Sequence, residues 1–156
     1  MYGMKLSKQY IAGFIDGEGY LSILKLKRKT ARNGYWFQPV IKVSQTQDHS
    51  YILQMIHCQY GGHFNKRRVY KDNSKPTFTL DIKGEEKIRK LLDDILPYLI
   101  IKKPQAELIL EYYNLGTVMK RNSEGIKKLD ELQSKRSVLY KKARMLNKRG
   151  TAAETE

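Results

Sequence analysis

The chain has 156 residues, 40% of them hydrophobic, and 30 Lys and Arg against 16 Asp and Glu give a formal net charge of +14. That length suits one domain with its own core, and a hydrophobic share of this size, spread over periodic segments, argues against a disordered polyelectrolyte. Such a charge opposes folding by self-repulsion until a polyanion neutralises it, and nucleic acid is the commonest polyanion. The lone Cys58 allows no internal disulfide, and His49, His57 and His63 form no zinc-type ligand cluster, so any metal is expected on carboxylate oxygen. An anionic membrane surface is a weaker partner for this charge. No apolar run approaches the roughly twenty residues that span a bilayer, and no signal-like hydrophobic stretch follows Met1–Lys5. The expectation is a soluble, intracellular protein.

Ser7 is a candidate N-cap for a short helix carrying Tyr10, Ile11, Phe14 and Ile15 at helical spacing, which the glycines Gly17 and Gly19 are expected to break. Residues 20–29 and 35–45 read as strands joined through Asn33-Gly34, a long hairpin. Asp48 is expected to cap a helix reaching about Gln59, with Tyr51, Ile52, Met55 and Ile56 on one face and Gly61-Gly62 as its stop. A second hairpin follows from 63–70 and 76–83 around the turn 71–75. Glu85 to Leu96 is amphipathic through Ile88, Leu91, Leu92 and Ile95 and ends at Pro97. Another helix starts at Pro104 and carries Leu108, Ile109 and Tyr112. A charged helix or helix pair runs from Ser123 to about Asn147. The fold class expected is α+β: one domain over 1–149 with a four-stranded sheet, and a frayed tail at 150–156. No internal repeat is present.

The segment Tyr10-Ile11-Ala12-Gly13-Phe14-Ile15-Asp16-Gly17-Glu18-Gly19 resembles the LAGLIDADG signature of homing endonucleases and related maturases. It departs from that signature with Ile11 for the first Leu and Glu18 for the last Asp. The resemblance, together with the element order over about the first 115 residues, implies an αββαββα fold: a four-stranded antiparallel saddle that binds DNA, helices on its other face, and C-terminal helices added. It implies an enzyme that hydrolyses both strands of a long DNA site with magnesium or another divalent cation. A home in an organelle would follow if an intron encodes the chain. With one motif per chain, the motif helix needs a second copy, which makes an isologous homodimer the simplest closed assembly. Ala12 and Gly13 have little bulk and suit close helix packing. The expected interface comprises Ile11, Ala12, Gly13, Ile15 and Asp16. Two Glu18 carboxylates would then meet near the dyad, tolerable only with divalent cations between them. The resemblance makes Glu18 the metal ligand, assisted by the Gly17 carbonyl, and adds Gln45, Lys102 and His49 to the catalytic pocket.

Between Gly19 and Gln47 stand Lys25, Lys27, Arg28, Lys29, Arg32 and Lys42 without one acidic residue. A ten-residue strand is about 33 Å long, close to one turn of B-DNA, and a two-stranded ribbon fits the major groove. Two subunits would cover about 20 base pairs as a pseudo-palindrome. Strand alternation nominates Trp36, Gln38, Val40, Lys42 and Ser44 as one exposed set, with Phe37 and Val43 turned to the helices. On the second hairpin, Asn65, Arg67 and Val69 share a phase, as do Thr77, Thr79 and Asp81. Arg67 suits guanine, and Gln38 or Asn65 suits adenine. In the first strand Leu21 and Ile23 face one way while Leu24 and Leu26 face the other, which points to a bulge or to a partly apolar contact surface. Lys25, Lys27 and Arg28 are taken as a group, with Arg32 in the turn. The same fold without cutting, as an RNA-splicing maturase or a DNA-binding regulator, is the alternative. A ribosome-associated basic protein would explain the charge but not the motif.

Overall fold

In the structure, a computed structural model, residues 4–67, 74–119 and 121–148 are described. The order is helix α1 (Lys8–Glu18), strands β1 (Gly19–Lys27) and β2 (Tyr35–Thr46), helix α2 (Tyr51–Tyr60), strands β3 (His63–Arg67) and β4 (Thr77–Lys83), helices α3 (Glu85–Ile95), α4 (Lys103–Asn114) and α5 (Ser123–Leu146). The four strands form one antiparallel sheet in the order β1-β2-β4-β3. This is the expected α+β arrangement, and α5 is one continuous helix of 24 residues. No helix among the described residues is long and apolar enough to cross a membrane.

Alternation along the strands separates two faces. Phe37, Ile41 and Val43 of β2 and Leu80 and Ile82 of β4 are buried against Ile11 and Ile15 of α1, Ile56 of α2, Leu92 of α3 and Ile109 of α4. Burying a leucine or isoleucine side chain contributes about 1.5–3 kcal/mol, so this layer is the main source of stability. Polar bonds lock it in register. The Tyr112 hydroxyl donates to the Phe37 carbonyl at 3.1 Å, and the Asn147 amide donates to the Leu21 carbonyl at 2.8 Å, fixing the end of α5 on edge strand β1. Tyr60 donates to Asp94 at 2.8 Å and Lys8 pairs with the same carboxylate at 2.9 Å, joining the start of α1 to α2 and α3. Burial, and then the Asp94 bond, push the Tyr60 phenol up to about 12. Lys8 and Tyr60 hold the Asp94 carboxyl below the usual carboxylate range.

Several local expectations change. Helix α1 does not stop at Gly17 but runs to Glu18, because the Gly19 N–H still reaches the Ile15 carbonyl. Strand β1 carries no bulge: its pairing with β2 is unbroken from Gly19↔Val43 to Lys27↔Tyr35. The Leu24 and Leu26 phase therefore reflects apolar residues on the open face. Asp48 does not cap α2. It sits in a 3-10 turn at Gln47–His49, where its carboxylate takes the Lys75 ammonium, which holds its pKa below the usual range. Asn33-Gly34 does make the turn of the first hairpin, with Gly34 at φ 73°, a conformation that favours glycine. Val69, the turn residues 71–73 and the tail 150–156 lie outside the described residues.

Candidate active site and nucleic-acid interface

The motif helix has two unlike sides. Ile11, Ala12 and Ile15 are fully buried in the chain's own core and Asp16 nearly so. This corrects the expected interface set, since those four side chains are already occupied within the chain. Only Gly13 of the five stays on the open side, where Tyr10 and Gly17 are also exposed and Phe14 stacks on Tyr10. A Cβ added at Gly13 or Gly17 would meet nothing within 4 Å. Residues 10, 13, 14 and 17 fall on one helical stripe, in which Tyr10, Gly13 and Gly17 are exposed while Phe14 is half-buried against the chain's own core.

Asp16 organises the end of α1. Its carboxylate accepts from the Ile100 N–H at 2.8 Å and the Lys102 N–H at 2.9 Å, and the Lys102 ammonium donates to the Asp16 carbonyl at 2.8 Å. The loop before α4 is thereby strapped to the motif, which delivers the Lys102 ammonium to the last turn of α1. Asp16→Ala would orphan both N–H groups, costing about 1–3 kcal/mol each, and release the Lys102 loop. Thermal unfolding should show a lowered midpoint. Gly19 is held by contact rather than by conformation: a Cβ there would stand 2.5 Å from the Ile15 carbonyl oxygen. Gly19→Ala is expected to cost about 1–3 kcal/mol through that overlap, again read as a lowered unfolding midpoint.

Glu18 is exposed, and among the described residues no hydrogen bond or ion pair engages its carboxylate. It opens on a groove of about 380 Å³ shared with Tyr20, Lys42, Ser44, Asn65, Thr79 and Asp81. Cross-strand partners place this set on the open sheet face: Tyr20↔Lys42, Lys42↔Asp81, Ser44↔Thr79 and Asn65↔Thr79. The Ser44 and Thr79 hydroxyls are 3.0 Å apart and Lys42 stands 3.9 Å from Asp81. Trp36 and Gln38 follow on the same face through Leu26↔Trp36 and Leu24↔Gln38. Among the described residues, Trp36, Gln38, Lys42 and Ser44 of β2, Asn65 of β3 and Thr77, Thr79 and Asp81 of β4 have the expected phase, with one exception. Val40 belongs to this face by alternation but is fully buried and stands outside the helix-side core cluster.

The lysines of β1 depart from the expected group. Lys25 pairs with Phe37 and Lys27 with Tyr35, which puts both on the helix side of the sheet, and the Lys25 ammonium lies 4.1 Å from the Tyr35 ring centroid. Arg28 lies over Trp36, its guanidinium carbon 5.4 Å from the ring centroid. Arg32 pairs with Asp130 of α5 at 3.3 Å. Gln45 pairs with Phe78 and so shares the helix-side phase of Val43; its side-chain amide oxygen accepts from the Thr46 N–H at 2.9 Å. His49 is exposed in the 3-10 turn, its ring edge-on to Tyr51. No hydrogen bond among the described residues joins Gln45 or His49 to Glu18. Sequence reasoning missed Tyr20, and the alternation Tyr20-Ser22-Leu24 starting at Gly19 was the signal that could have found it.

The oxygen donors at the helix end are the exposed Glu18 carboxylate and the Gly17 backbone carbonyl. Among the described residues no group of three carboxylate, imidazole or thiolate side chains gathers in one chain as a metal cage. Hard oxygen donors that few in number suit a magnesium-like ion, which keeps waters and phosphate oxygens in its shell.

Residues 11–104 match the family model described as LAGLIDADG endonuclease. The chain is 30% identical over 141 residues to the probable intron-encoded endonuclease Cox1-I1b of Schizosaccharomyces pombe, covering 84% of this chain and 33% of that protein. It therefore spans about a third of this relative's length. Its fold is similar to that of the homing endonuclease I-CvuI in complex with the I-CreI target, with a TM-score of 0.74 and 22% identity over 94% of this chain and 85% of that one. It is similar as well to the archaeal intron-encoded homing endonuclease I-Vdi141I complexed with DNA, with a TM-score of 0.68 and 21% identity over 95% and 88%.

Proposed function

We propose, from the premise that the chain belongs to the LAGLIDADG endonuclease family, that it acts as a homodimeric homing endonuclease making a double-strand cut in a long pseudo-palindromic DNA site. The observation that carries this reading is Glu18: a carboxylate with no partner among the described residues, at the end of the motif helix and opening on a sheet face that offers Lys42, Ser44, Asn65 and Thr79. A carboxylate exposed beside a polyanion-binding face, and without a partner among the described residues, makes sense where a cation joins the two.

Glu18 and the Gly17 carbonyl are the groups that would hold a divalent cation, which when bound supplies charge neutralisation at the phosphate and a more acidic water. The chain's other residues position and tune. Asp16 ties the Lys102 segment to the helix and the Lys102 ammonium sits on the Asp16 carbonyl, where it is proposed to add positive charge at the end of the motif helix. Gln45 and His49 are proposed to organise solvent at the same phosphate. The exposed stripe of Tyr10, Gly13 and Gly17 is the surface proposed to meet its two-fold copy, with Gly13 and Gly17 four residues apart permitting close backbone approach. The dyad then brings two Glu18 carboxylates together, one for each DNA strand. The polar open-face residues of β2, β3 and β4 and the Arg28 guanidinium are proposed to lie along the major groove.

Incubation with a randomised duplex library and Mg²⁺, followed by sequencing of the cleaved ends, tests the proposal. Recovery of one long, dyad-symmetric site cut in both strands is expected. Selective retention of uncut duplex would point instead to a binding protein of the same fold.

A further inference from the structure

We infer that Leu24, Leu26 and Trp36 form an apolar reading patch that recognises thymine 5-methyl groups in the outer part of each half-site. The inference rests on the endonuclease reading above and names part of its target. The register pairs Leu24 with Gln38 and Leu26 with Trp36, on the same open face as Lys42 and Ser44. All three side chains are only half-buried, and none of them belongs to the helix-side core or packs against it. The helix-side core therefore does not use them. Two leucines on the open face of edge strand β1, with Trp36 of the neighbouring strand β2 beside them, invite aggregation unless a partner covers them.

Charge selects that partner. The Arg28 guanidinium over Trp36 and the net charge of +14 favour a polyanion over an apolar protein surface. In the major groove the thymine methyl is the one apolar group on a base edge, and apolar side chains are what discriminate it. Leu24 and Leu26 stand six and eight residues beyond Glu18, about 20 and 26 Å along an extended strand. At a rise of about 3.4 Å per base pair that is about six to eight base pairs from the cutting centre. The groove beside Glu18, lined by Lys42, Ser44, Asn65 and Asp81, serves the inner base pairs with polar contacts instead.

The test uses the site recovered from the duplex library, with each thymine in the outer part of the half-site replaced by uracil. Uracil lacks the methyl and keeps the pairing edge. Thymine is expected to be enriched six to eight base pairs from the centre, and each replacement there should weaken binding about three- to fivefold, as for one buried methyl group. A chain carrying Leu24→Ala and Leu26→Ala should bind thymine and uracil sites equally while keeping the wild-type salt dependence, which reports the phosphate contacts. Equal binding of both sites by the unaltered protein, or discrimination that survives in the double variant, would overturn the inference and leave the endonuclease reading standing. A protein that selects no duplex site would overturn both.

Discussion

Glu18→Gln is expected to lower double-strand cleavage by at least about 10³-fold while site-specific binding stays within about threefold of the unaltered protein. Glutamine matches glutamate in size, so the groove keeps its shape, but it removes the negative charge on which a divalent cation depends. The side chain is exposed and engages no partner among the described residues, so unfolding should shift by no more than about 0.5 kcal/mol. Cleavage of a labelled site with Mg²⁺, binding with Ca²⁺ and a thermal melt separate the three effects. Loss of binding together with cleavage would make the helix end a structural element.

Gly13→Leu has the second large effect, and it acts on assembly. A Cβ at Gly13 meets nothing within 4 Å inside the chain, so the monomer should fold with nearly unchanged stability. Across a two-fold axis each leucine meets its copy, and overpacking of about 1–3 kcal/mol per site puts the rise in the dimer dissociation constant on the order of 100-fold. Sedimentation velocity should show monomer at micromolar concentration, with cleavage lost in parallel. Ala12→Leu provides the contrast: Ala12 has no exposure and lies in the chain's own core, so its replacement should lower the unfolding midpoint of the chain itself. A Gly13→Leu protein that remains dimeric and active would place the contact between subunits elsewhere.

The difference between Ala12 and Gly13 shows what a sequence does and does not disclose. Both are small, and small residues in a helix point to close packing of some kind. Which partner each one meets depends on the rotation of α1 against the sheet, and that rotation is set by Ile11 and Ile15 reaching the core together with Asp16. The faces of β2, β3 and β4 were legible because apolar and polar residues alternate there with a period of two. Strand β1 was harder to read, since it has apolar residues on both faces and lysines at positions that turn out to face the helix side. Only the pairing with β2, continuous to Lys27↔Tyr35, decides which is which.

At the candidate site the motif pointed to Glu18 and the loop lysine Lys102, and the strap that joins them was invisible. Asp16 bonds across 84 and 86 residues of chain to Ile100 and Lys102, a long-range contact with no local pattern. Asp48 failed as a helix cap for a similar reason: a distant ammonium, that of Lys75, competes for its carboxylate. The need for Gly19 is likewise a matter of contact with the Ile15 carbonyl and not of a turn conformation.

Supercoiled plasmid carrying one recovered site offers the most direct test of the claim that two copies of the motif helix each supply one Glu18 to one DNA strand. Unaltered protein, Glu18→Gln protein and mixed dimers of the two are to be compared with Mg²⁺. The account predicts linear product from the first, none from the second and nicked circles from purified mixed dimers. Linear product from the mixed dimers at the unaltered rate would contradict it.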